Sequence, residues 1–335
     1  MRQLGLWFIL LMTFSACGYA QKIKVATYNI YFLDDGISQE RKENLQAVIK
    51  KLDADIIGFQ EITNVAALKN ILPASYEIAM IDDPEEVQEC ALAVRQPIEI
   101  KSVEYVYPEK KYDDAFPRSR DLLQVRIKGN GNELTVLVHH AKSRSRSRMK
   151  TDRRRAAASV LIMEHLKKKL SNQPVVILGD FNDNPDDRSL NILETGDTNA
   201  IGGIDQQEDS FLFNVTEILA AKDYCSYGYS YLFKDADADT FPLVVKGARA
   251  ENNKWRGKKH NFFEDVKVKA ILFDQILVSM ALKDRVVETG VVNNFVAIRG
   301  QGSRIKFTDD GLVYTRRGSL ASDHVPVWAV LDLSK

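Results

Sequence analysis

The chain has 335 residues, with 46 Lys and Arg against 46 Asp and Glu, and 45% of it is apolar. A composition this balanced excludes disordered, collagenous and coiled-coil chains. Zero net charge excludes a protein that holds polyanions by bulk charge, so any anion site must be local. Three Cys are too few for a disulfide scaffold.

The first twenty residues read as a signal peptide. Arg2 gives a positive start and Leu4–Phe14 an apolar stretch of eleven residues, too short to span a bilayer. Gly18-Tyr19-Ala20 then places small residues where cleavage before Gln21 requires them. A lipoprotein processed at Cys17 is the lesser reading, because Phe14 is bulky where that signal has a small aliphatic residue. The expectation is an exported protein, periplasmic or extracellular, with 45 basic and 46 acidic residues in the mature chain. No later stretch has the length and apolarity of a transmembrane helix. Whether Cys90 and Cys225 pair is left open.

The mature sequence opens with a strand, Lys22–Ile30, in period-2 alternation. In the segment that follows, Leu45, Val48, Ile49 and Leu52 line one face of a helix. Strands are expected at Ile56–Gln60, Tyr76–Ile81, Ala91–Val94, Leu122–Ile127, Leu134–His140 and Val175–Leu178. A second helix covers Thr151–Leu170, with Lys167–Lys169 suited to its C-terminal dipole. Strands at Ala270–Ser279 and Val327–Leu331 close the chain. No repeat or linker interrupts residues 21–335, which read as one domain. Several strand connections are too short for a helical crossover, so paired mixed sheets with outer helices are expected. Residues 196–270 are irregular and rich in Gly, Asp, Asn and aromatics, as loops that set specificity are.

Polar residues recur at the C-terminal ends of apolar strands: Asn29, Glu61, His140, Asp180, and Asp323-His324 before the last strand. A solvated strand end explains any one of them. Together they supply carboxylates for a hard cation, amides, and two His able to titrate near neutrality.

The segments ATYNI, IIGFQEI, VLVHHAKS, VILGDFND, ILFDQILVS and SDHVPVWAVL occur in that order. This set resembles the signature of the endonuclease/exonuclease/phosphatase superfamily, the deoxyribonuclease I-like metal-dependent phosphoesterases. GDFN and SDH are specific together. The resemblance implies a four-layer α/β/β/α sandwich with its site at one end of two packed sheets. It implies Glu61 as principal Mg²⁺ ligand, with Asn29 and Asp323 beside it; Mn²⁺ or Ca²⁺ are alternatives. Asp180 and Asn182 would position the attacking water and the phosphate. His324 would be general base or phosphate contact, held by Asp274, and His140 a phosphate contact and proton donor across the site. Arg120 matches a phosphate-binding arginine. The apurinic-site enzymes carry an acid where Tyr31 stands, which counts against that repair activity and a second acidic metal site.

The run Lys142–Arg155 holds eight basic residues and one acid. It leaves a strand directly after His140, and Arg153–Arg155 fall near a helix N-terminus, where positive charge is unfavourable without an anion. Arg144 and Arg146 are therefore expected to contact substrate phosphates. His139 should point away from His140 and be structural. His165 and His260 read as surface residues, and Trp328 as core. Asp183, Asp186 and Asp187 read as turn residues bonding locally. The leading function is an exported nuclease acting as a monomer. A lipid phosphodiesterase or a sugar or inositol phosphatase of the same fold comes second, and a non-catalytic binding module last.

Overall fold

The alternation over Lys22–Ile30 becomes the middle of a six-stranded sheet. The computed structural model describes residues 22–83, 86–117, 120–129, 131–144, 148–202, 209–222, 224–228, 270–292, 304–308, 311–316, 318 and 320–334. With strands numbered in chain order, β1 (Lys22–Leu33) lies between β2 (Ile56–Ile62) and β16 (Val327–Asp332). That sheet runs β13 (Val286–Val291), β16, β1, β2, β4 (Glu89–Arg95), β3 (Tyr76–Met80). The second runs β5 (Glu99–Tyr105), β6 (Leu123–Gly129), β7 (Asn132–His140), β8 (Val175–Asp180), β12 (Asp274–Ser279), β9 (Leu212–Asn214). Two short ribbons pair β10 (Tyr227–Gly228) with β11 (Ala270–Ile271) and β14 (Arg304–Thr308) with β15 (Gly311–Arg316).

Parallel pairing occurs at β1–β2 and β7–β8. These are the pairs whose connections contain long helices, α1 (Gln39–Leu52) and α3 (Arg148–Lys169), as parallel pairing requires. Ser38 caps α1 by accepting from the Arg41 amide, and Asp53 ends it in a left-handed conformation. Its expected stripe of Leu45, Val48, Ile49 and Leu52 is buried. Each such side chain contributes roughly 1.5–3 kcal/mol by leaving water.

Alternation sorts the second sheet into two faces. Val136, Val138, Val176 and Leu178 belong to the core shared with the first sheet. Leu137, Val175, Ile177 and Leu277 pack instead with Ile162 and Leu166 of α3 and Leu190 and Leu193 of α4 (Arg188–Thr195). The order is helix, sheet, sheet, helix, the expected four-layer sandwich. The sheets touch closely at Gly58, where a Cβ would lie 2.0 Å from Leu178 Cδ1.

The short helix α2 (Val65–Ile71), α4, and strands β5, β9 and β13 were not foreseen, and α3 begins three residues earlier than expected. The expected strand Ala270–Ser279 is broken at Leu272-Phe273. There Ser226 Oγ accepts from the amides of Phe273 and Asp274, each at 3.0 Å. Cys90 and Cys225 are both buried and are not bonded to one another. No described helix is long and apolar enough to cross a membrane. Residues 1–20, expected to be a signal peptide, and His260 lie outside the described residues.

Candidate active site

Two bulges aim the site. The β1–β2 register shifts between Asn29 and Leu33, and Tyr31 and Phe32 take φ of 51° and 47°. The β2–β4 register shifts between Phe59 and Ile62, with Glu61 at φ 65°. Left-handed backbone at such residues costs of order 1–3 kcal/mol and persists only where its surroundings enforce it. At β1 the enforcement is local, for Asn29 Oδ1 accepts from the Tyr31 amide at 3.0 Å. Sequence reading ended the strand at Ile30 and missed this distortion.

Asp180 is the hub. Its carboxylate accepts from Asn29 Nδ2 at 3.1 Å, Asn182 Nδ2 at 3.1 Å and the Asn182 amide at 2.9 Å. His140 Nε2 lies 3.6 Å from Asp180 Oδ2 and 3.7 Å from Glu61 Oε1. His324 Nε2 lies 3.9 Å from Asp180 Oδ2, while its Nδ1 is 2.7 Å from Asp274 Oδ2. Asn29 Nδ2 also reaches Glu61 Oε1 at 3.2 Å. Residues spread from 29 to 324 therefore meet at one end of the sandwich. Asp323 lies in the turn beside them, where Ser322 Oγ donates to Asn29 O at 2.8 Å.

The two His are in opposite states. Burial pushes the His140 pKa well below 6.5, and the charges of Arg120 and His324 push the same way, so this imidazole is neutral. Burial would lower His324 too, but Asp274, Asp180 and Asp323 outweigh it and raise it to about 10. These directions move both rings away from titration near neutrality, contrary to that expectation, and leave a neutral His140 whose Nε2 stands 3.6–3.7 Å from the Asp180 and Glu61 carboxylates. Burial raises Asp180 and Asp323 from 3.8 to about 6 each and also raises Glu61.

A divalent cation fits this donor set. Glu61 Oε2 and Asp323 Oδ1 are buried oxygens without a hydrogen-bond partner, a costly state unless a cation or donor meets them. The described residues hold no cluster of three or more His, Cys, Asp or Glu side chains arranged for a metal. Mg²⁺ keeps several waters and is held by one or two carboxylates, so a sparse set suits it.

Arg120 is 7% exposed, with Nη1 donating to Ala141 O at 2.9 Å and Nε and Nη2 to Gln88 Oε1 at 3.0 and 2.9 Å. Its charge acts on Glu61 and Asp180.

The basic run departs from expectation. Arg144 is buried, donating from Nε to Asn182 O at 2.7 Å and from Nη2 to Asp183 at 2.9 Å and to Asp187. Arg155 Nε lies 2.7 Å from Asp183 Oδ2. Arg154 donates to the carbonyls of Asp113 and Asp114. Two of the acids expected to bond locally do so, Asp183 accepting from Ser189 Oγ at 2.6 Å and Asp187 from the Asn184 amide at 2.8 Å, and the same two also hold Arg144 and, for Asp183, Arg155. This corrects the reading of Arg144 as an open phosphate contact, since buried carboxylates already hold it. The side chains of Arg146 and Arg148 lie outside the described residues.

Three other residues fall as follows. His139 faces Phe116 and Phe181 on the helix side and is structural, as alternation indicated. His165 is half-buried and bonded to Gln124 Oε1 at 2.7 Å rather than free at the surface. Trp328 is partly buried, with Lys24 Nζ 4.2 Å from its ring centroid. Sequence reading also missed Arg41, Gln88 and Ser226, and gave Ser322 of the SDH segment no role. Arg41 carried a signal too, standing one turn before Leu45 in register with the apolar stripe of α1.

A carboxylate hub flanked by a His–Asp pair at the end of two packed sheets defines a metal-dependent phosphoester hydrolase. The chain belongs to the endonuclease/exonuclease/phosphatase family, whose model matches residues 26–324. Solved structures share the fold at low identity. One is D. rerio TDP2 complexed with single-strand DNA product, 16% identical, covering 92% of this chain and 98% of that one, TM-score 0.54. A second is an endonuclease/exonuclease/phosphatase family protein of Bacteroides thetaiotaomicron, 19% identical over 93% and 97%, TM-score 0.56. A mannosyl-6-phosphatase of the same organism is 18% identical over 92% and 98%, TM-score 0.54. Comparison with curated protein sequences returned no match.

Proposed function

We propose that this chain is an exported Mg²⁺-dependent hydrolase of a compact phosphoester, such as a phosphorylated sugar. The observation that carries the reaction is the pair of buried, unpartnered oxygens on Glu61 and Asp323 beside the Asp180–His324–Asp274 group. The choice of substrate rests on Arg144 and Arg155, whose charges are taken up by buried acids. Arg144 and Arg155 therefore drop out of the charge argument for a long polyanion, which weakens it. The similar mannosyl-6-phosphatase is in keeping with a small substrate.

When bound, the cation would sit at Glu61 and Asp323 with Asn29 beside them, neutralising charge on the phosphoryl group and leaving oxygen. Asp180, fixed by Asn29 and Asn182, takes a proton from the attacking water. His324, protonated and oriented by Asp274, meets a non-bridging phosphoryl oxygen. His140 donates a second, neutral hydrogen bond from the opposite side. The new bond joins water oxygen to phosphorus and the ester P–O bond breaks; the departing oxygen takes a proton from solvent and leaves as an alcohol, and Asp180 returns the proton it accepted to solvent.

The test is phosphate release from sugar phosphates, a single-stranded oligonucleotide and a phospholipid, each with Mg²⁺ and with chelator. Mg²⁺-dependent turnover of the sugar phosphate at a rate well above the others supports the reading. Preferential cleavage of the oligonucleotide returns the nuclease, and preference for the phospholipid returns the lipid enzyme. Export is tested by the mass of the mature protein. A chain beginning at Gln21 is expected, and a lipid-modified Cys17 would overturn it.

A further inference from the structure

Arg41 is 1% exposed, yet among the described residues its guanidinium hydrogen bonds go to main-chain carbonyls, while its charge is also felt at Asp323. Nε donates to Ala321 O at 3.2 Å, and Nη2 to Ile30 O at 2.7 Å and Tyr31 O at 2.6 Å. Nη1 is buried without a partner. A buried charge is costly, and an apolar side chain of similar size commonly does as well or better for stability alone. The carbonyls that it joins come from two segments about 290 residues apart, a spacing read from their residue numbers. One is the distorted end of β1 that follows Asn29; the other leads into Ser322, Asp323 and His324.

We infer that Arg41 is a positioning residue. Its fork ties the β1 bulge to the Ala321–His324 turn and so sets the separation between Asn29 on one side and Asp323 and His324 on the other. Two further bonds act in the same sense. Ser322 Oγ donates to Asn29 O at 2.8 Å, and Ser38 Oγ, which caps α1, donates to Gly318 O at 3.0 Å. Both Tyr31 and Phe32 are left-handed, and the carbonyls of Ile30 and Tyr31 are drawn to one guanidinium nitrogen, which holds that backbone in place. A Lys in this position keeps the charge but cannot fork across three carbonyls in two directions. The inference rests on the hydrolase reading for its purpose, though not for its geometry.

The experiment compares the wild type with Arg41→Met and Arg41→Lys, with three readouts. These are thermal unfolding, amide hydrogen exchange of the metal-free protein at 30–33 and 321–325, and Mg²⁺ affinity by calorimetry. Arg41→Met is expected to melt close to wild type while both segments lose protection together. Its Mg²⁺ affinity should fall about 10–100-fold, the range for groups that orient metal ligands. Arg41→Lys should behave like the Met variant; should Met not fold, Lys carries the test. Wild-type protection in both segments of the variant tested overturns the inference. Full rescue by Lys also overturns it, since charge alone would then suffice. If the wild type binds no Mg²⁺, the hydrolase reading fails, and the exchange measurement still decides whether Arg41 joins the two segments.

Discussion

Asp180 and Asp274 face each other directly across the antiparallel β8–β12 pair. Like charges so placed repel. His324 resolves the repulsion by reaching both, Nδ1 at 2.7 Å from Asp274 and Nε2 at 3.9 Å from Asp180. The same arrangement fixes the ring and keeps it cationic.

Replacing Asp274 with Asn should therefore free the imidazole and return its pKa toward 6.5. A kcat loss of roughly 10²–10⁴ is expected, with His324→Ala at least as damaging. Steady-state kinetics on the double variant decides the pairing. Losses that multiply would mean the two act separately.

Glu61→Ala should leave the protein folded, because one oxygen of this buried carboxylate is already without a partner. It should abolish Mg²⁺-dependent turnover. Mg²⁺ at a hundred times its dissociation constant stabilises a binding protein by about 2.7 kcal/mol, and that thermal shift should vanish in the variant. A normal shift would place the cation elsewhere.

The pH dependence of stability follows from His324. Its pKa is about 10 in the fold against 6.5 for the free side chain, so the folded state binds the extra proton between those values. The stabilisation is complete below 6.5 and is lost as pH rises from there through 10, by at most about 1.4 kcal/mol per pH unit for one proton. Urea unfolding of chelated protein at pH 6, 8 and 10 should show the decline, and His324→Gln should flatten it.

Arg144→Met should destabilise by about 3–5 kcal/mol, since it strips a cation from buried Asp183 and Asp187. The salt dependence of binding to a long oligonucleotide should not change. A slope shallower by about 0.7–0.9 would mean that this arginine neutralises a backbone phosphate, and would restore the open reading of its side chain.

Much of this molecule was legible in its sequence, for reasons that are local. Period-2 runs bury one face of a strand, so the alternation in Lys22–Ile30 and Leu134–His140 located β1 and β7 and put His139 and His140 on opposite sides. The stripe from Leu45 to Leu52 located α1 in the same way. Asn29, Glu61, Asp180 and Asp323-His324 stood out because a polar residue ending an apolar strand needs water or a ligand.

What tertiary structure alone decided was the fate of the charges. Nothing near Lys142–Arg155 in the sequence reveals that Asp183 and Asp187, about forty positions on, would draw Arg144 inside. Nor does α1 disclose that Arg41 would meet Ala321, a partner 280 positions away. The protonation of the two His is of the same kind, for one imidazole lies by Arg120 and the other between Asp180 and Asp274. Periodicity reports which face of an element is buried. The energy of a charge depends on what is buried opposite it, and only the packed chain brings those partners together.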